Sequence, residues 1–398
     1  MRTEVEMDLS SSAFFANPYP TYQVLREIGT PYWRQFPGGT GGSWLVVAYD
    51  DVAAILKEAR VSKYPQFLVP DGQLGVLART MQGTDPPDHT RLRRLSSGAF
   101  TPARVANLES RITQIANALI AGVRADGGMD FIPAFALPLP VMVISELLGI
   151  PVEDWEQFAA WSNQIVQAHT KRITDGERCV ARKGLTELQA YFDGLVRARR
   201  DLPGEDLISA MVTARDADDR LTDEELVGTC MLLLIAGFET TVDLLANGML
   251  TLLSHPEQYE LLKSRPELMP SAVEEMLRYE SPVQRGTFRC AREAITLQGI
   301  TISPGQRVET FLGAANRDPG QFPDPDRFDI TRTPNRHLAF GAGIHYCLGA
   351  ALVRTEARIA FTCLLQALPR MRLTTRTPQW KPECLFRFRS LAALPVAF

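Results

Sequence analysis

One stretch, Phe340 to Gly349, constrains what this chain can fold around more than any other. A glycine-rich loop runs into a single cysteine, Cys347, and a helix-compatible segment, 350–365, follows at once. A cysteine just before a helix N-terminus receives backbone N–H groups and the positive end of the helix dipole, and both favour the thiolate. Gly341, Gly343 and Gly349 let the backbone approach a flat ligand that a Cβ would push away. His345 is placed to reach a nearby anion. A lone intracellular cysteine is ordinarily a buried, inert thiol. The glycines, the histidine and the following helix shift the reading to a haem-binding loop with Cys347 as proximal iron ligand.

A second constraint comes from 222–254. Thr222 and Glu225 are spaced as a capping box, and His255-Pro256 ends the segment. Apolar residues surround its circumference, as in a central buried helix. Its middle reads Ala236-Gly-Phe-Glu-Thr240, and a buried Glu239 beside Thr240, Thr241 and Gly237 is costly without a purpose. One reading is a paired core acid with the hydroxyls bonded back to the helix. The other is an oxygen-binding notch: a Thr hydroxyl leaves the ladder, Gly237 removes bulk, and Glu239 with Thr240 relays the protons that O2 activation consumes.

Further candidates lie on flanking segments. Asp85-Pro-Pro-Asp88 starts a helix over 89–99, with Asp85 or Asp88 as its cap. His89 and Arg93 share one face and can hold an anionic group such as a haem propionate. Arg91 and Arg94 point elsewhere and are candidates for docking an electron donor. Glu275 and Arg278 share a face of a helix over 268–279, ordinarily a solvated pair of little energetic weight. The segment 61–83 is long, irregular and too apolar for plain disorder, which suits a substrate-contacting loop. A strand is expected over 44–49, a helix capped by Asp50 over 51–58, mostly helix over 102–200, strands over 285–308, a meander over 314–340 and a terminal hairpin over 380–397. The lining expected for a substrate pocket is Phe67, Leu74, Leu232, Ile235, Ala236, Val283 and Phe386, mainly apolar.

Composition removes other classes. The 398 residues carry a net charge of −4, so there is no global basic field for nucleic acid. Residues 1–12 are acidic and lack an apolar run, and the densest apolar run, 231–236, is too short to span a bilayer. Six cysteines at 179, 230, 290, 347, 363 and 384 show no paired spacing, which suits a reducing cytosol and argues against disulfides or zinc. A cytoplasmic location without membrane attachment is expected.

Five separated blocks, His89/Arg93, Ala236 to Thr240, Glu275/Arg278, Phe322 to Phe328 and Phe340 to Gly349, together resemble the cytochrome P450 family in identity and order. The resemblance spans nearly the whole chain and points to the soluble bacterial type. It implies a mainly α fold with small β-sheets, a single domain over 1–398 whose β-rich parts are about 30–65, 283–310 and the C-terminal hairpin. It implies haem b held by Cys347, with His89, Arg93, Arg289 and His345 at the propionates, Phe340, Gly341 and Gly349 shaping the ligand loop, and Ala236 and Gly237 against the other face. Glu239 and Thr240 take the family's proton-handling roles, and Glu275, Arg278 and Arg327 a buried structural triad. The implied reaction inserts one atom of O2 into a hydrophobic substrate, by hydroxylation or epoxidation in secondary metabolism, with ferredoxin and ferredoxin reductase as electron donors to a monomer. A peroxide-driven peroxygenase and a non-catalytic haem sensor would share the ligand loop.

Overall fold

Thr222 Oγ1 accepts from the Glu225 amide at 3.2 Å, while the Glu225 carboxylate accepts from the Thr222 amide at 2.9 Å. This reciprocal cap satisfies N–H groups that every helix start leaves without partners. It opens Asp223–Ser254, the longest helix among the described residues. The structure, a computed structural model, describes residues 9, 11–29, 31–36, 41–63, 79–97, 100–170, 174–214, 219–287, 289–375, 377–381 and 387–398. The helix is long and apolar enough to cross a membrane by length and composition, well beyond the short run at 231–236. In its most apolar window, however, 72% is buried within the protein. Pro138–Leu148, Asp175–Asp201, Met269–Tyr279 and Ala350–Ala367 pack around it. Burying apolar surface on every side is what holds it in place, at roughly 25 cal/mol per Å2 removed from water. Thr174 and Glu177 form the same kind of cap on Asp175–Asp201.

The β structure is small. Five short strands make one sheet in the order Tyr32–Gln35, Gly42–Val46, Arg307–Thr310, Arg289–Ala291, Val61–Ser62. All neighbours are antiparallel except Gly42–Val46 with Arg307–Thr310, where Trp44 lies opposite Val308. The fold is thus mainly α with small sheets, as the sequence indicates. An apolar layer between this sheet and the helix Tyr49–Lys57 includes Val46, Val52, Leu56 and Leu312, and is separate from the larger core among the helices.

Three local expectations change. The helix expected over 51–58 starts at Tyr49, and its cap is not Asp50: Tyr49 N–H donates to Asp318 Oδ2 at 2.7 Å, a partner 269 residues away that local reading cannot find. Asp85 does not cap the next helix, Asp88–Ser97, with its side chain. Its carboxylate accepts instead from Ser62 Oγ at 2.5 Å and Lys63 N–H at 2.9 Å, tying the last strand of the sheet to the helix entrance. The tail is not one hairpin. Gln379–Trp380 pairs with Leu391–Ala393, but Pro395–Ala397 leaves to pair with Gly128–Asp130 and Arg372–Leu373.

Candidate active site

The segment before the cysteine is anchored where Leu338 N–H donates to Asn316 Oδ1 at 2.6 Å. The chain then doubles back. Gly341 N–H donates to Leu338 O at 2.8 Å, Tyr346 N–H to Gly343 O at 3.1 Å and Cys347 N–H to Phe340 O at 3.0 Å. Gly343 has φ +72°, and a Cβ there would lie 2.6 Å from Leu56 O. Only glycine lets the loop lie so close to the Tyr49–Lys57 helix. Gly349 is the N-cap of Ala350–Ala367. Burial pushes the Cys347 thiol up, while the Gly349 N–H and the Arg93 and Arg354 guanidinium groups pull the other way. A metal bound to such a thiol removes its proton outright.

Two adjacent carboxylates brace this loop. Glu274 accepts from Arg354 at 2.7 and 2.9 Å and lies 3.1 Å from His337 Nε2, and the Arg354 guanidinium sits 4.5 Å from the centre of the Phe340 ring. Burial opposes ionisation, but Arg354 and His337 hold the Glu274 carboxyl down at about 2. Glu275, fully buried, accepts from Arg278 Nε at 2.7 Å and Nη2 at 2.8 Å, from Asp329 N–H at 2.9 Å and from Asn335 Nδ2 at 3.0 Å. Arg278 also donates to the carbonyls of Asn316, Pro325 and Arg327.

The third charged side chain on this pair is Arg332, not Arg327. The Arg327 side chain is 66% exposed and lies 3.7 Å from Asp329, so only its carbonyl joins the network. The Asp329 N–H is fixed on Glu275 and the Arg332 N–H turns back to Asp329 O, which brings the Arg332 Nε to 3.3 Å from Glu275.

A cavity of about 280 Å3 lies where the helical core meets the sheet-side core. Phe340, Gly341, His345, Cys347 and Gly349 of the ligand loop line it, as do Leu232, Ala236, Gly237 and Thr240 of the central helix. Val283 lines it as expected. Ile235 does not; it packs against the helical core instead. Phe67, Leu74 and Phe386 lie outside the described residues. Met81, Phe100, Ile144, Leu233 and Leu312 complete much of the apolar lining. They come from five separate places along the chain, and no periodicity marks them.

The central helix does not open. Thr240 Oγ1 donates to Ala236 O and Thr241 Oγ1 to Gly237 O, both at 3.2 Å, and the helix runs unbroken through them. Hydroxyl back-bonding, the alternative reading, is the arrangement present. Gly237 makes room for Ile144, whose Cδ1 and Cγ1 would sit 3.2 Å from an added Cβ. Glu239 is not part of the cavity wall. Burial, then the neighbouring Asp243, push its carboxyl up to about 8 against a weaker pull from Lys381.

One part of the cavity lining is cationic. His89, Arg93, Arg289 and His345 all reach it, and so does Lys63, which the sequence reading missed because a single lysine after a strand carries no signal. The His89 and His345 rings meet edge to face at 4.3 Å. Both His89 ring nitrogens are buried with no partner in the protein. Burial and the surrounding positive charges push His345 down to about 2, and burial pushes Arg289 down to about 10 and Lys63 well down. A buried crowd of donors around two unpartnered ring nitrogens fits an anionic group, such as a carboxylate, entering from the cavity. A thiol on the loop, apolar walls and this cationic part match the three parts of a haem: its iron, its macrocycle and its propionates. Arg91 points away and is engaged by Glu225 of the central helix cap and by Asp219 at 3.5 Å.

Comparison with known proteins yields a consistent set. The family model for cytochrome P450 matches residues 131–383. The biotin biosynthesis cytochrome P450 of Bacillus subtilis (strain 168) is 42% identical over 398 residues, covering 98% of each chain. Cytochrome P450 monooxygenase PikC of Streptomyces venezuelae is 43% identical over 390 residues, covering 96% of this chain and 91% of that one. The crystal structure of P450BioI in complex with acyl carrier protein ligated to hexadec-9Z-enoic acid superposes with a TM-score of 0.91 at 41% identity, covering 98% of this chain and 100% of that one.

Proposed function

The chain belongs to the cytochrome P450 family, whose members bind haem and act as monooxygenases, and on that premise we propose how its own residues divide the work and what it oxidises. Cys347 is the thiolate ligand, held by the Gly349 N–H and the doubled loop. His89, Arg93, Arg289 and His345 hold the propionates, with Lys63 adding a charge to the same cavity. When bound, the haem supplies the activation of O2, one atom of which goes to the substrate while the other leaves as water. Glu239 stores a proton close to the cavity, and the Thr240 hydroxyl, which lines it, can swing from Ala236 O to pass that proton inward. Leu232, Leu233, Ile144 and Phe100 exclude water from the chamber.

The observation that carries this reading is that Cys347 and Thr240 line one largely apolar cavity together with the cationic set His89, Arg93, Arg289, His345 and Lys63. The apolar lining favours a hydrophobic, mid-sized substrate of natural-product metabolism, such as a polyketide, macrolide or terpenoid, taken free or tethered to a carrier protein. The solved relative in complex with an acyl-loaded carrier protein supports that class. Electrons come from a ferredoxin and its reductase, and the enzyme works as a single-domain monomer in the cytoplasm.

The test is a spectral binding screen of the haem-loaded protein against fatty acids, macrolides, terpenoids and acyl carrier protein conjugates, followed by turnover with a ferredoxin system. Apolar ligands should shift the haem band and be oxidised; binding confined to small polar molecules would contradict the substrate class. Thr240→Ala should divert reducing equivalents from product to peroxide while leaving ligand binding intact. An unchanged yield of product per electron would remove Thr240 from the proton path.

A further inference from the structure

We propose that Asp243 is the positioning partner of Glu239: the two carboxyls, one helical turn apart, hold a single proton between them and keep it on the side facing Thr240. The inference rests on the reading of Glu239 and Thr240 given above and adds a residue to it.

The placement comes first. Residues 239 and 243 lie on an unbroken stretch of the central helix, where side chains four apart have Cβ atoms about 5–6 Å from one another. Asp243 is only 6% exposed, and its Oδ2 accepts from Ser390 Oγ at 2.8 Å. Among the described residues no hydrogen bond reaches the Glu239 carboxylate. Glu275 makes the contrast: the same fold wraps that buried carboxylate in Arg278, Arg332, Asn335 and a backbone N–H. Among the described residues no comparable set of cations and donors surrounds the 239/243 pair.

The charged groups nearby do not neutralise it. Lys381, from the tail, acts on both carboxyls, and Arg389 precedes the Ser390 that donates to Asp243. Glu280 binds Arg389, and Glu356 lies on the Ala350–Ala367 helix. Arg389 is taken by Glu280 at 2.6 Å and by the carbonyls of Phe15 and Ala16. Glu356 is buried with Oε2 unpartnered, and burial pushes it well up, towards the neutral form. Lys381 acts on both members of the pair, yet burial outweighs it at each, lifting Asp243 to about 7 and Glu239 to about 8. Two like charges so close in a low-dielectric interior do not both form readily, so one proton remains on the pair at neutral pH. When Glu239 gives it up, its O–H bond breaks, the pair's charge goes from −1 to −2, and a proton from solvent water restores it.

The sign of each substitution follows. Asp243→Asn keeps an acceptor for Ser390 but removes the negative neighbour that raises Glu239, so Glu239 ionises at lower pH. Ser390→Ala removes the donor that stabilises the Asp243 carboxylate, so the pair loses its last proton at higher pH. The experiment uses the haem-loaded full-length protein and two readouts. Infrared titration in D2O follows the protonated-carboxyl band, and the yield of product per reducing equivalent is measured against pH. In the wild type a band should disappear between about pH 7 and 8, and Glu239→Gln should lose the higher-pH part of that change and keep only the part belonging to Asp243, over a constant Glu356 contribution. Asp243→Asn should move both midpoints down by about one pH unit, and Ser390→Ala should move them up. An unaltered carbonyl-bound spectrum in each variant separates this from misfolding. Coincident midpoints in wild type and Asp243→Asn overturn the role of Asp243. If Glu239→Gln itself leaves band and yield unchanged, the reading of Glu239 fails, and the role of Asp243 falls with it.

Discussion

Glu274 and Glu275 are neighbours in sequence with separate tasks. Glu274, held down at about 2 by Arg354 and His337 against the cost of burial, is anionic in the folded protein wherever the unfolded chain is still losing its charge. A depressed carboxyl adds stability above its unfolded value of 4.5, and that stability is lost as pH falls toward 2. Glu274→Gln should therefore melt below the wild type at pH 7, with the gap closing between pH 4.5 and 2; a gap independent of pH would mean that packing, not charge, is what Glu274 contributes. Several site residues could be found from sequence because each carries its own mark: a cysteine before a helix, an acid beside an alcohol, a histidine and arginine on one face. Lys63, Arg332 and Asp243 carry none. Their importance comes from what the fold brings beside them: Asp85 and Arg289, then Glu275, then Glu239.

The Met269–Tyr279 helix illustrates how an element serves a site it does not touch with its charged groups. Its Glu275–Arg278 pair would count for little on a surface. Fully buried, it fixes the meander that leads to the cysteine loop. Removing one partner of a buried ion pair costs on the order of 3–5 kcal/mol, so Glu275→Ala should lose that much stability and release haem on mild heating. Arg332→Ala removes a charged hydrogen bond and should cost about 1.5–3 kcal/mol. Arg327→Ala should stay within about 0.5 kcal/mol, as exposed substitutions do. Urea titrations of the three decide the matter, and equal losses for Arg327 and Arg332 would contradict the assignment. The long helices were legible because the 3.6-residue period and the capping boxes are local signals, whereas the short helices Leu207–Thr213 and Pro256–Ser264 were not singled out. The cap on Tyr49 from Asp318 and the departure of Pro395–Ala397 from the expected hairpin are long-range events that no window of sequence contains.

For the molecule as a whole, the cavity sits at the junction of the helical core and the sheet-side core, so neither body alone contains it. The helical side supplies Thr240 and the apolar walls; the sheet side supplies Lys63 and Arg289; the ligand loop closes the gap between them. That division accounts for a long central helix kept apolar around its circumference yet bearing two carboxyls. On the proposed reading it also separates the charged residues assigned to the cofactor from the apolar ones, drawn from scattered segments, assigned to the substrate. The central claim is that Cys347 presents a thiolate to haem iron across from Thr240. The most direct measurement is the reduced, carbonyl-bound absorption spectrum of the haem-loaded protein and of Cys347→Ser. A strongly red-shifted Soret band in the wild type that disappears in the variant is the predicted result; a wild type without that shift, or a variant that keeps it, would contradict the claim.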